Sequence, residues 1–290
     1  MCRLFAMHAG KEPVKATFWL IAAPDSLAQQ SRKEADGFGI GTFNRQGTPV
    51  VDKAPIAAYE DHAFAKEARD LESTTFLAHV RYASTGGNTE VNTHPFVQDN
   101  RLLAHNGVVQ DLDLLDERLR SLGVLDLVRG ETDSERVFAL ITAEARRNGG
   151  DVGAAIAAAL TWVAEHLRLY AVNIILTTAT DLWAARYPDT HPLYVLQLAG
   201  TDRHHKLATP RISVHSRELG EGGRPAVLLA TEKMDENPNW RPMDSGELLH
   251  VSSALEVERS FPLPDRPSHP LTLADLDARA AASQHPQKVS

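Results

Sequence analysis

Two helical segments lie in the middle of this chain, with strand-like segments before and behind them. The first starts at Thr132, where Thr132 and Glu135 have capping-box spacing and Val137, Leu140 and Ile141 recur at helical intervals. The second follows the Gly149-Gly150 break and carries Val152, Ile156, Ala159, Leu160, Val163 and Leu167 on one face. Residues 4–7, 74–80 and 101–105 read as strands ahead of the pair, and residues 169–178, 182–187, 193–198, 226–231 and 247–251 behind it. Strands, then helices, then strands again make an α+β chain, and two packed sheets with helices outside satisfy that order. Periodicity does not single this arrangement out.

Other segments fill in the frame. A polar, helix-compatible stretch runs through residues 27–33, residues 57–71 and 112–122 have helical spacing, and residues 84–93 and 220–225 are loops. In Asp36-Gly37-Phe38-Gly39-Ile40-Gly41, glycines alternate with apolar residues, which suits a tightly approached strand. The run lacks the last glycine spacing of a dinucleotide fingerprint and no helix pattern follows, so it is not a nucleotide site. Arg101–His105 would lead into Asn106-Gly107 as a turn pair. After Phe261 the chain is proline-rich, with a short helix candidate at 273–282, and residues 261–290 read as a tail behind a domain of residues 2–260.

With 290 residues, 43% of them apolar and 23% charged, the chain can build a sizeable core. The net charge of −8 and the absence of a basic stripe argue against nucleic acid. No apolar run reaches the roughly 20 residues of a membrane span, and the start lacks a secretory signal, so a cytoplasmic protein is expected. The 13 histidines show no metal-ligand spacing, and adjacent His204-His205 cannot readily share one ion, so neither metal nor cofactor is expected. Trp162, Trp183 and Trp240 read as core or loop packing.

The single cysteine, Cys2, excludes an internal disulfide framework. If Met1 is removed, Cys2 becomes the first residue, and its α-amine, with a pKa of about 7.7–8.0, can take the thiol proton and return it to a leaving amine. Amide hydrolysis also needs donors for the developing oxyanion, and the Asn106 side chain with the Gly107 N–H offers two. Arg81 suits a substrate carboxylate and Asp133 an ammonium, although isolated residues of these types are more often solvated surface charges, and Asp133 also suits a helix cap.

These residues occur in an ordered series: Cys2, His79-Val80-Arg81-Tyr82-Ala83-Ser84-Thr85-Gly86, Asn92-Thr93-His94-Pro95, Ala104-His105-Asn106-Gly107 and Gly130-Glu131-Thr132-Asp133-Ser134-Glu135. The series resembles the glutaminase domain of the class II glutamine amidotransferases. It is most similar to small stand-alone members such as the γ-glutamyl hydrolase of ergothioneine biosynthesis and the amidotransferase-like subunit of a glutathione-degrading complex. The resemblance implies the four-layer α/β/β/α sandwich of the N-terminal nucleophile hydrolases. It implies Cys2 as nucleophile, its amine as base, Asn106 and Gly107 as oxyanion hole, Arg81 for the substrate carboxylate and Asp133 for its ammonium. Tyr82, Ser84 and Thr85 would lie on the loop closing over the substrate, with His94 as structural support beside it.

Large synthases of the family usually have Trp in place of Tyr82 and Thr-His in place of Ser84-Thr85, a change that bears on glutamine selectivity. Three readings follow: a γ-glutamyl amide hydrolase working through a thioester, the ammonia-supplying subunit of a separate synthetase, and a non-catalytic γ-glutamyl binder.

Overall fold

The computed structural model describes residues 2–31, 36–56, 71–81, 87–200, 206–209, 212–215 and 224–284. The helix expected at 57–71, apart from its last residue, lies outside the described residues, as do Tyr82, Ser84 and Thr85.

Two antiparallel sheets pack face to face. The first contains β1 (Arg3–His8), β2 (Gly37–Phe43), β3 (Pro49–Ala54), β4 (Thr75–Arg81), β9 (Tyr194–Leu198), β10 (Ala226–Ala230) and β11 (Arg241–Pro242), in the order β11-β9-β10-β1-β4-β2-β3. The second contains β5 (Phe96–Gln98), β6 (Arg101–Val109), β7 (Arg168–Thr177), β8 (Leu182–Ala185), β12 (Leu248–Val251) and β13 (Val257–Ser260), in the order β13-β12-β8-β7-β6-β5. A short strand, β14 (His269–Pro270), adds to β7 in parallel.

Strand alternation builds the layers. On β1, Leu4 and Ala6 face the second sheet, where they meet Leu102, Ala104, Ile175, Leu182 and Ala184. Phe5 and Met7 point outward, onto Trp19, Leu20 and Leu27. Leu27 belongs to α1 (Leu27–Gln30), capped by Ser26. On the far side, Leu103, Val172, Ile174 and Leu176 of the second sheet pack under α2 (Leu112–Ser121), α3 (Asp133–Arg147) and α4 (Val152–His166). Each fully buried Phe or Leu in these layers contributes roughly 1.5–3 kcal/mol. Two sheets with helical segments outside each form the expected α+β sandwich.

The glycine alternation of β2 has a steric cause. A Cβ on Gly39 would collide with the His94 carbonyl, and one on Gly41 would stand 2.7 Å from Leu102 Cδ1 and 2.9 Å from Pro95 Cγ. The strand is thus bare on its inner face, and the His94-Pro95 segment enters between the sheets.

One expectation fails. Asn106-Gly107 is not a turn, because β6 continues to Val109, with Asn106 opposite Asn173 and Gly107 opposite Val172 on β7. Burial of the strand and cross-strand pairing override the local turn preference of an Asn-Gly pair. A register irregularity between Val108 and Val109 then shifts the pairing, with Val109 opposite Leu169. The strand β3 is also absent from the sequence reading, since it is an edge strand whose residues are half-buried or exposed.

The helix at Thr132 forms as expected, with Thr132 Oγ1 accepting from the Glu135 amide at 3.3 Å. The Glu135 carboxylate reaches further back, accepting from the amides of Arg129 at 3.0 Å and Gly130 at 2.6 Å. This fixes the turn leading into α3. Beyond β13, Ser268 N donates to Ala164 O at 2.8 Å and Leu271 N to Leu169 O at 2.9 Å. The short helix α5 (Ala278–Gln284) then follows a single 3-10 turn at Leu273–Asp275.

Candidate active site

The described site residues gather at one end of the sandwich. Arg3 on β1 pairs with Val80 on β4, so one step further out Cys2 stands beside Arg81, with Gly37 of β2 on the other flank of Arg81. Leu77, His79 and Arg81 alternate toward the second sheet, as do Leu4 and Cys2 on β1. From that second sheet Asn106, 3% exposed, donates through Nδ2 to the Cys2 carbonyl at 3.1 Å. An amide NH2 has two hydrogens, so this bond fixes the side chain and leaves a second donor.

Gly107 must be glycine, since a Cβ there would run into the carbonyl of Ala171 and come within 2.7 Å of His105 Nε2. Its neighbour His105 points to the helix side, where Ser134 Oγ lies 2.8 Å from Nδ1. Ser134 Oγ also donates to Asp133 Oδ1 at 3.3 Å. Asp133, at the start of α3, is 3% exposed and accepts from Val109 N at 2.9 Å through Oδ2 and from Ser134 N at 2.9 Å through Oδ1. The first turn of α3 is therefore pinned to the strand that carries Asn106, with the positive end of the helix dipole beside the carboxylate.

Arg81 is 3% exposed and donates through Nη1 to Gly87 O at 3.1 Å and Asn88 Oδ1 at 3.4 Å. Burial draws its guanidinium below the usual range, while Cys2, Asp36 and Asp133 pull the other way. The loop after it is tied down by groups that sequence reasoning did not single out. Glu131 Oε2 accepts from Gly87 N and from Asn92 Nδ2, both at 3.1 Å, and Asn92 Oδ1 accepts from Glu131 N at 2.9 Å. Asn92 and Glu131 stand in the motifs quoted above, but their mutual contact spans 39 residues and no local pattern announces it.

His94 is buried behind the site, its ring 4.2 Å from that of His79 and 4.6 Å from that of Phe96. Burial pushes the His79 imidazole down to about 3 and holds His94 well below its ordinary range, so both are neutral. Lys53 Nζ closes this side by donating to Thr93 O at 2.8 Å. Among the described residues no cluster of His, Cys, Asp or Glu has metal-binding geometry, and no helix is long and apolar enough to cross a membrane.

The sequence model of the "Glutamine amidotransferases class-II" family matches residues 1–268. The chain belongs to that family. It is an enzyme of the glutamine amidotransferase type. Similar proteins include a putative glutamine amidotransferase of Haemophilus influenzae, 24% identical over 77% of this chain and 75% of the relative. The probable glutamine amidotransferase DUG3 of Saccharomyces cerevisiae is 28% identical over 48% of this chain and 44% of its own length. The amidophosphoribosyltransferase of a Synechocystis strain is 30% identical over 87% of this chain but only 46% of the relative. The chain thus spans most of the first relative and under half of the other two. Among solved structures, the glutamine phosphoribosylpyrophosphate amidotransferase of Bacillus subtilis superposes with a TM-score of 0.65 at 18% identity, covering 91% of this chain and 50% of that one. A class-II domain protein from Silicibacter pomeroyi gives 0.61 at 20% identity, covering 91% and 100%. Both likenesses concern the fold.

Proposed function

We propose that the enzyme hydrolyses a γ-glutamyl amide, glutamine or a γ-glutamyl peptide or amine, through a thioester on Cys2. The observation that carries this reading is the Asn106 hydrogen bond to the Cys2 carbonyl, formed across the two sheets beside the buried Arg81. Removal of Met1 makes the α-amine of Cys2 the base that takes the thiol proton. The sulfur attacks the side-chain carbonyl carbon, and Asn106 Nδ2 with the Gly107 N–H stabilises the oxyanion. Collapse breaks the C–N bond, and the amine departs with the proton held by the α-ammonium. Water then adds to the thioester, the C–S bond breaks, and glutamate leaves.

Arg81 binds the glutamyl carboxylate and Asp133 its ammonium. Tyr82, Ser84 and Thr85 close over the substrate, and His94 supports the pocket from behind. We read residues 2–260 as the glutaminase domain, residues 261–290 as its appended tail, and the cytoplasm as the place of work. The test is glutamate release from glutamine and from γ-glutamyl dipeptides. Cys2→Ala is expected to abolish it, and retained turnover in that variant would overturn the reading.

A second reading, delivery of ammonia to a separate synthetase, is favoured by one feature. Exposed Val91 and Val97 line, with Phe96, Leu127 and the charged Lys53, Glu90, Arg129 and Glu135, a cavity of about 480 Å³ near the 87–93 loop. Exposed valines ringed by charged groups make a mixed surface that suits a partner protein. Glutaminase activity that rises strongly only on adding a synthetase would support it, and full activity of the purified chain would exclude it.

A further inference from the structure

The C-terminal segment packs on the second sheet beside the site, on the face that carries Asn106. Leu271, Leu276 and Ala280 pack on Val108, Tyr170 and Ala171, the residues flanking Gly107 on β6 and its partner β7. This contact sets α5 beside the oxyanion strand and brings Arg279 across to the start of β2, where its Nη2 lies 3.9 Å from Asp36 Oδ2. Asp36 in turn reaches Arg81 once directly and once through Asn88. Its backbone N donates to Arg81 O at 3.2 Å, and its Oδ1 accepts from Asn88 Nδ2 at 3.3 Å. Asn88 completes the ring by accepting from Arg81 Nη1 at 3.4 Å. The ring joins residues 36, 81 and 88, and Arg279, from a distant stretch of chain, reaches it at Asp36.

We propose that Arg279 is a positioning residue for glutamyl binding, acting through Asp36 and Asn88 on the guanidinium of Arg81. By holding the Asp36 carboxylate on the α5 side, it keeps Asn88 oriented toward Arg81 and the Arg81 fork aimed at the substrate carboxylate. The proximity of the two arginines also adds positive potential where that carboxylate arrives. Arg279 is 55% exposed on its side chain, so its influence is electrostatic, salt-sensitive and modest.

The inference rests on the reading of Arg81 as the carboxylate anchor, and the experiment separates the two. Full-length Arg279→Ala, Arg279→Lys and Arg81→Ala variants are compared in a glutamate-release assay on glutamine at low and high salt. Arg279→Ala is expected to raise KM about fivefold at low salt with kcat within twofold, an effect sized to an exposed ion pair. Arg279→Lys restores most of it, and high salt erases the difference from the parent protein. An unchanged KM in Arg279→Ala overturns the proposal, as does a fall in kcat and melting temperature that lysine does not rescue. Should Arg81→Ala itself leave KM unchanged, the reading of Arg81 fails and the role of Arg279 goes with it. A large KM increase for Arg81→Ala with none for Arg279→Ala defeats only the latter.

Discussion

Asn106 ties β6 to the Cys2 carbonyl through its side-chain amide, and in the proposed mechanism the same amide supplies an oxyanion donor. Replacing it by alanine should lower kcat on the order of a hundredfold or more with a smaller change in KM, as expected for a donor used in the transition state. Steady-state kinetics on glutamine checks this, and a change confined to KM would contradict it. The buried histidines make a separate prediction. His79, His94 and His105 all have depressed folded-state pKa values because burial disfavours the charged ring. Below about 6.5 the unfolded chain gains protons that these folded sites refuse, so their contribution is present above that pH and is lost as pH falls toward about 3, where His79 titrates. Each such histidine adds about 1.4 kcal/mol per pH unit to the loss. Denaturant midpoints between pH 7.5 and 5 should fall steeply, and His79→Phe should flatten the slope by about one proton. At this scale the sequence already exposes Arg81, Asn106 and Asp133, because each stands inside a recognisable run. Asp36, Asn88 and Arg279 escape it, because their relation exists only after distant segments have folded together.

At the level of the elements, β2 and β6 place the site. The bare inner face of β2 admits the His94-Pro95 segment, so Gly39→Ala should force that segment outward and cost roughly 1–3 kcal/mol or more, read from the shift in urea midpoint. An unchanged midpoint would mean that the segment can move aside freely. The glycine alternation announces this close approach in the sequence, and the helices at Thr132 and Val152 announce themselves by caps and periodicity. The extension of β6 through Asn106-Gly107 does not. An Asn-Gly pair is locally a turn, and only the ladder to Asn173 and Val172 overrides it. The consequence suits the proposed oxyanion hole, because donors on a buried strand are held more rigidly than donors on a surface turn.

Across the whole molecule, each sheet supplies part of the site: Cys2 and Arg81 from one, Asn106 and Gly107 from the other, with Asp133 contributed by the helical layer behind. Across the second sheet, level with Asn106, the flank is locked by Glu247, whose side chain is fully buried. Burial would raise its carboxyl, but the bonds to Arg241 and Arg259 outweigh that and hold it at about 2. The order of strands and helices points to an α+β chain, and it is the family resemblance that implies two sheets with helices outside. Element order could not supply the strand order or the return of the C-terminal segment to β7, because these are long-range pairings with no local pattern. The most direct test of the account is a rapid-quench experiment in which the enzyme is mixed with glutamine, denatured in acid and analysed by peptide mass spectrometry. The account predicts an N-terminal peptide that begins at Cys2 and transiently carries one glutamyl increment on that residue. Turnover by protein that retains Met1, or a glutamyl adduct on any other residue, would contradict it.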